Sequence, residues 1–181
     1  MDHSLIERLR KQDPDSQEHF YRKYAEIMFR LCFRYLGNEH DTSEVLNDGF
    51  YKAFTQMNLF KQGDLNGLLA WVRKIMVNEC LMFLRKKKRL QFNMEDEPGI
   101  NEIPVFQYIE TDAELYFTLI SQMDDKYRLV FSMYVLDGYT HQEISRLLKI
   151  PENTSRSYLL RARIDLQKKI KKIQTHDTTR K

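Results

Sequence analysis

Apolar positions recur along this chain at spacings of three and four in long runs, the rhythm of buried helix faces, and strand-like alternation is scarce. Ser4 to Lys11 predicts a short first helix. Asp13-Pro14-Asp15-Ser16 breaks it, with Ser16 in place to cap the next. From Gln17 to Leu36 the positions Phe20, Tyr24, Ile27, Met28, Leu31 and Tyr35 form one apolar face, and Gly37-Asn38 supplies its stop. Asp41 and Glu44 signal another start, after which Val45, Phe50, Phe54 and Met57 turn inward while Glu44, Asn47, Asp48 and Tyr51 make an outward stripe. Gly49 lies inside this helix and lowers its intrinsic stability by about 1 kcal/mol relative to alanine.

Leu59 to Gly67 carries two glycines and no helical period, so it reads as a loop. The long helix that follows puts Leu68, Val72, Ile75, Leu81 and Leu84 on a core face and Trp71, Lys74 and Asn78 on a separate stripe, and it ends in the run Arg85 to Arg89. Residues 92–111, with M-E-D-E-P-G and Pro104, have the composition of an extended linker. A helix beginning near Thr111 or Asp112 then carries the apolar series Leu115, Leu119, Met123, Leu129, Val130, Met133 and Tyr134 to Gly138.

Asp137 to Lys172 predicts two short helices joined by a tight turn. Thr140 and Glu143 have the spacing of a capping box. Ile144, Leu147 and Leu148 then bury one face and leave Gln142 and Arg146 outside. The turn falls at Lys149 and Ile150, and Pro151 suits the first turn of the second helix. There Leu159, Ala162 and Leu166, with Ser155 a turn earlier, face the first helix, and Arg156, Ser157, Arg161 and Arg163 stay outside. This is the outline of a helix-turn-helix. Residues after Ile173 should fray.

The fold class predicted is therefore all-α. Two small helical domains, residues 1–91 and 112–175, are joined by an acidic linker at 92–111, with a frayed tail at 176–181. Charge sharpens the division. Residues 1–91 hold 16 Lys and Arg against 12 Asp and Glu, residues 92–112 hold 6 acids and no base, and residues 113–181 hold 13 bases against 8 acids. Two basic ends around an acidic middle suggest a polyanion partner.

Other chemistries find no support. Cys32 and Cys80 sit in apolar helical contexts as small buried hydrophobes. His3, His19, His40, His141 and His176 are scattered, so no metal site or catalytic base emerges, and no glycine-rich phosphate loop is present. No cofactor, metal or small-molecule substrate is expected, and the chain should not be an enzyme. No apolar run approaches about 18 residues and M-D-H-S-L-I-E-R lacks a signal peptide's apolar stretch, so the expected location is the cytoplasm.

Each remaining feature has two readings. Arginines on the second helix can grip guanine or clamp phosphate, or simply form a solvated basic face. Trp71 with Lys74 and Asn78 can hold unstacked bases, or Trp71 can be a core aromatic. The Glu44 stripe can serve a partner or solubility. Arg85 to Arg89 can complement the helix dipole or meet a phosphate backbone.

Several motifs in order resemble bacterial sigma factors of the extracytoplasmic-function (ECF) type, compact members of the sigma-70 family. D-T-S-E-V-L-N-D-G-F-Y-K-A-F is similar to the family's D-A-E-D-L-V-Q-D-x-F-x-x-A-W, and L-L-A-W-V-R-K-I-M-V-N to F-x-x-W-L-x-x-I-A-x-N. Y-R-L-V-F-S-M-Y-V-L-D-G-Y-T-H-Q-E-I-S-R-L-L and N-T-S-R-S-Y-L-L-R-A-R resemble its C-terminal helix-turn-helix. The likeness covers about residues 17 to 173.

The resemblance implies a sigma factor that binds core RNA polymerase and directs promoter-specific initiation, its second domain a helix-turn-helix of winged-helix-like or sigma region 4 type. Glu44, Asn47 and Asp48 would dock on the clamp helices of the β′ subunit, with the β flap a further contact. Lys61, Asn66, Trp71, Lys74 and Asn78 would take bases from the non-template strand of the −10 element, with Arg85, Lys86, Lys87, Lys88 and Arg89 on nearby phosphates. Gln142, Asn153, Thr154, Arg156, Ser157, Arg161 and Arg163 would meet the −35 element. The acidic linker would thread toward the RNA exit path, and an anti-sigma factor would complete the partners.

Some positions depart from the family pattern. Lys149 stands where glycine is common, Ser155 where an apolar residue packs, Tyr158 for an arginine, and Met76 and Met82 for alanine and aspartate. The rival readings are a stand-alone helix-turn-helix regulator that binds duplex operator DNA, and a helical adaptor for acidic surfaces.

Overall fold

The computed structural model describes residues 2–61, 63–87 and 113–178. The chain divides into two compact units, Met1–Lys88 and Arg89–Lys181. The acidic linker at 92–111, Lys88 and Arg89, and the last residues of the tail lie outside the described residues.

The first unit is built from α1 (Asp2–Arg10), α2 (Pro14–Leu36), α3 (Glu39–Thr55) and α4 (Leu65–Lys86), with a 3-10 turn at Met57–Leu59. Asp13, not Ser16, caps α2. Its carboxylate accepts from the Ser16 amide and hydroxyl. Pro14 fills the first helical position, where a missing N–H costs nothing, and Ser16 is buried inside the first turn. The bond from Ser16, followed by those from Arg8, holds the Asp13 carboxyl below the usual range. Gly37 closes α2 as predicted, in the left-handed region at φ 76°. The cap of α3 is Asn38 rather than Asp41. The Asn38 side chain accepts from the Asp41 amide and donates to the Asp41 carboxylate, both at 2.9 Å.

Helices α2, α3 and α4 enclose the core. Phe20, Tyr24, Met28, Leu31 and Tyr35 of α2 meet Val45, Leu46 and Phe50 of α3 and Leu68, Val72, Ile75, Leu81 and Leu84 of α4. Phe20 and Phe50 pack edge to face with centroids 6.4 Å apart. Ile27 is 53% exposed, contrary to its place in the apolar rhythm. It sits about 100° round the helix from Met28, off the stripe's edge. Cys32 and Cys80 are both fully buried, and burial, then the neighbouring Cys32, pushes the Cys80 thiol well up. That favours the inert protonated form.

The loop before α4 is shorter than its glycines suggest. Phe60 is buried, Asp64 caps α4 through the Gly67 amide, and Gly67 lies within the first helical turn. Gly63, at φ 157°, has the Phe60 ring only 2.9 Å from where a β-carbon would sit.

The second unit contains α5 (Ala113–Ser121), α6 (Asp125–Phe131), a π-helical turn (Ser132–Leu136), α7 (His141–Leu148) and α8 (Glu152–Thr178). Leu119, Met123, Leu129, Val130 and Met133 join Ile144, Leu148, Leu159, Ala162 and Leu166 in its core. Arg128 is 3% exposed, and its buried charge is met by Asp125 at 2.5 Å and by the Met123 carbonyl at 2.9 Å. Tyr134, expected inside, is exposed together with Val135 and Leu136, because the π-helical turn shifts the helical phase.

The capping box of Thr140 and Glu143 forms as predicted. Lys149 takes the left-handed conformation at φ 57° and ψ 44°. Pro151 precedes α8 rather than opening it, and its carbonyl accepts from the Ser155 amide. The second helix is long rather than short and runs to Thr178, past the expected fraying point after Ile173. Among the described residues there is no strand, so the module is a helix-turn-helix without a wing.

Candidate nucleic-acid and polymerase interfaces

On α3, Glu44, Asn47 and Asp48 are exposed on one stripe, and Tyr51 extends it at 72% exposure. Tyr21 of α2 donates to Asn47 at 3.3 Å. Along this face Glu44 and Asp48 lie one turn apart, and Tyr51 follows one turn beyond Asp48.

On α4, Lys74 and Asn78 are exposed and Trp71 is half-buried. Trp71 is neither a core residue nor a bare platform. It packs against Phe60, with centroids 5.8 Å apart at 44°, and part of it stays accessible. Phe60 is itself seated against Gly63, where a β-carbon would meet its ring, which explains that glycine. Met82, 53% exposed, and Arg85 continue the same stripe toward the end of the helix. The helix therefore presents an aromatic, a cation, an amide, a thioether and a second cation in register.

Lys61 and Asn66, at either side of the loop, are exposed. Arg10 of α1, which no sequence periodicity singles out, donates to the Phe60 carbonyl at 2.8 Å and the Lys61 carbonyl at 2.9 Å. This guanidinium fixes the backbone that carries Lys61. The basic run is not uniform. Arg85 and Lys86 are exposed, but Lys87 is turned onto Asp41 at 2.6 Å and lies over the Phe83 ring at 4.5 Å. Lys87, itself exposed, thus ties the end of α4 to the start of α3. Asp41, His40 and Glu44 bring ligand-capable atoms within 4.8 Å of one another. The Asp41 carboxylate already serves Lys87 and Asn38.

In the second unit, α8 packs on α6 and α7 and buries Ser155, Tyr158, Leu159 and Ala162. Tyr158, the residue in place of an arginine, is core, edge-on to Tyr127 with centroids 5.6 Å apart. At 3.6 residues per turn the candidates spread over three directions. Asn153 and Ser157 point directly away from the buried face, Thr154 and Arg161 lie on one flank, and Arg156 and Arg163 on the other. Arg156 is exposed and ion-paired with Glu152 at 3.5 Å, whereas Arg161 and Arg163 are half-buried. Gln142 is exposed on the first turn of α7.

Two family models match in the order of the two units. One described as Sigma-70 region 2 covers residues 20–90, and one described as Sigma-70, region 4 covers residues 114–166. The chain belongs to the sigma-70 family.

Among its relatives, the ECF RNA polymerase sigma factor SigW of Bacillus subtilis is 26% identical across 92% of this chain and 95% of that protein. The ECF RNA polymerase sigma-E factor of Escherichia coli K12 is 25% identical across 93% of this chain and 94% of that protein. A solved structure of the sigma factor RpoE with the anti-sigma factor NepR from Bartonella quintana is similar in fold. It has a TM-score of 0.51 at 18% identity and covers 85% of this chain and 96% of that chain. Matches of this span place the sigma-70 regions 2 and 4 of this sigma factor on α2–α4 and on α5–α8 respectively.

Proposed function

We propose that this sigma factor brings core RNA polymerase to promoters by gripping DNA at two points in two different states. The observation that carries the proposal is the contrast between its two exposed chemistries. The α4 stripe of Trp71, Lys74 and Asn78 suits unstacked bases, because an aromatic face with a neighbouring cation and amide binds a base without needing its paired edge. The α7–α8 pair suits an intact duplex, with a basic helix whose first turns carry Asn153, Arg156 and Ser157 outward.

On this reading Lys61, Asn66, Trp71, Lys74 and Asn78 take bases of the −10 element, and Arg85 and Lys86 hold phosphates. Lys87 supports the frame. Lys88 and Arg89 continue the basic run. Gln142, Asn153, Thr154, Arg156, Ser157, Arg161 and Arg163 meet the −35 element, with Arg156 and Ser157 nearest the base edges. Glu44, Asn47, Asp48 and Tyr51 dock on the β′ clamp helices, and the exposed Tyr134, Val135 and Leu136 offer an apolar contact to the β flap. The domains are residues 1–91 and 112–175 around the acidic linker. The chain is an initiation factor that catalyses nothing itself and works in the cytoplasm, consistent with the lack of a membrane-crossing helix among its described residues. An anti-sigma factor covers one or both faces when the factor is idle.

Unstacking a base costs a few kcal/mol, stacking on Trp71 offsets about 1–3 kcal/mol of it, and contacts made by polymerase complete the opening. The test is co-elution of the purified chain with core RNA polymerase. Binding to core with little affinity for duplex alone supports the reading. Tight binding to duplex without any to core would return the chain to the class of stand-alone regulators.

A further inference from the structure

A polar pair bridges α7 and α8 amid the apolar side chains of the second unit's core. Ser155, fully buried on α8, sits where the family pattern has an apolar side chain, and its hydroxyl is 2.9 Å from Nδ1 of His141, the first residue of α7. The imidazole stacks on Tyr134 of the π-helical turn, with centroids 4.3 Å apart and planes at 22°. The ring is thus held from two sides, by the π-helical turn and by α8. Ser155 immediately precedes Arg156, and Arg163 lies two turns on along the same flank.

We propose that His141 is a positioning residue for reading the −35 element: through Ser155 it fixes the rotation of the first turn of α8, and so the direction in which Arg156 leaves that helix. This rests on the proposed role of α8 in meeting the −35 element. An alanine or valine at 155 would fill the seam without fixing rotation, since apolar contacts are not directional whereas a hydrogen bond weakens steeply off its axis. Because the serine hydroxyl is buried, losing its partner leaves a polar group unpaired, and the helix turn relieves this by rotating.

The charges facing the ring make the device sensitive to acid. Arg156, Arg163 and Glu152 face it from α8, and Tyr134 from the π-helical turn. Burial first, then Arg156, hold the imidazole below its usual pKa, with Glu152 pulling the other way and Arg163 adding to the lowering. Near neutral pH the ring is uncharged. Protonation places a cation at the positive end of α7, beside two arginines. Nδ1 is then a donor only, so the Ser155 hydroxyl must turn to accept from it, and the crowding of like charge weakens this anchor of the first turn of α8.

The experiment uses holoenzyme reconstituted from the full chain and core polymerase, and a promoter selected from a random library by that holoenzyme. Binding is compared between this promoter and one with the −35 element scrambled. His141→Phe keeps the stack and removes the hydrogen bond. The ratio of the two affinities is expected to fall about tenfold, the size of one buried hydrogen bond with a stranded partner. His141→Asn, which can still bond to Ser155, restores most of it. Ser155→Ala falls as far as His141→Phe, and the double variant no further. Between about pH 7.5 and about pH 5, across the ordinary histidine value of about 6.5, the wild-type ratio declines while that of His141→Phe stays level.

An unchanged ratio in both single variants would overturn the proposal. So would an equal loss on both promoters, which means general damage, or additive losses in the double variant. A wild-type holoenzyme indifferent to the −35 scramble would instead overturn the role of α8, a distinguishable failure.

Discussion

The sulfur of Met76 on α4 lies 2.3 Å from the point that a β-carbon on residue 49 of α3 would occupy, so Gly49 and Met76 form one packing unit where the two helices cross. Met76 is fully buried, and the end of its side chain must shift to admit a β-carbon there. Alanine at 49 gains about 1 kcal/mol of helix propensity but overpacks the crossing at a cost of about 1–3 kcal/mol. Gly49→Ala is therefore expected to destabilise the protein by up to about 2 kcal/mol. Adding Met76→Ala, the residue of the family pattern, should relieve the clash, so that the double variant is more stable than the sum of the two single changes predicts. Denaturant unfolding of the four proteins checks this, and strict additivity would disprove the coupling.

The strain at Lys149 gives a second prediction. Its left-handed backbone, at φ 57°, costs a non-glycine residue about 1–2 kcal/mol. Lys149→Gly should raise thermal stability by about 1 kcal/mol. A lowered melting temperature would mean that the lysine side chain contributes more than its backbone costs.

Asp41 and Lys87 yield a third. The pair is 2.6 Å long with Asp41 only 8% exposed at its side chain, and it ties the end of α4 to the start of α3. Asp41→Ala should destabilise the first unit, through loss of the pair and of the bond that the Asp41 carboxylate accepts from the Asn38 side chain, by about 1–2 kcal/mol. Lys87→Ala should weaken binding of single-stranded DNA less than Lys74→Ala does, as measured by fluorescence anisotropy of holoenzyme on a −10 oligonucleotide. A larger loss at Lys87 would show that the lysine leaves Asp41 to meet phosphate.

Acid stability follows from His141. Its pKa is lowered in the folded chain, so the unfolded chain binds the proton first as pH falls. Stability should decline as pH drops through about 6.5, the unfolded value, with the full loss reached below the folded value. His141→Phe should lack this component. Urea unfolding at a series of pH values reads it directly, and parallel curves for the two proteins would contradict it.

What could be read from the chain was what local spacing controls. The Thr140–Glu143 box, the Gly37 stop and the inward faces of α2, α3, α4 and α8 all follow from residues within one or two turns of each other. Caps were misplaced where two eligible side chains compete. Asp13 displaced Ser16, and Asn38 displaced Asp41, because only a residue with extended backbone just outside the helix can aim its oxygen at the first amides. Gly49 read as a weakness because its reason, Met76, is distant in sequence. The same holds for Arg10 on the Phe60 and Lys61 carbonyls, for Lys87 on Asp41, and for Ser155, whose partner His141 is on another helix. Trp71 lay between its two readings, since Phe60 covers only part of the ring. The exposed apolar turn at Tyr134 to Leu136 was hidden by a π-helical shift that periodicity of 3.6 does not anticipate.

The two-point grip is tested most directly by run-off transcription with holoenzyme carrying wild-type chain, Trp71→Ala or Arg156→Ala, combined with permanganate footprinting of the open bubble. Trp71→Ala is expected to leave −35-dependent binding intact while reducing bubble reactivity and transcript. Arg156→Ala should weaken recruitment by about 1–3 kcal/mol and leave the bubble normal on a template already opened at the −10 element. If Trp71→Ala gives an unaltered bubble, or if Arg156→Ala transcribes intact and scrambled −35 promoters as the wild type does, the assignment of the two faces to two DNA states is wrong.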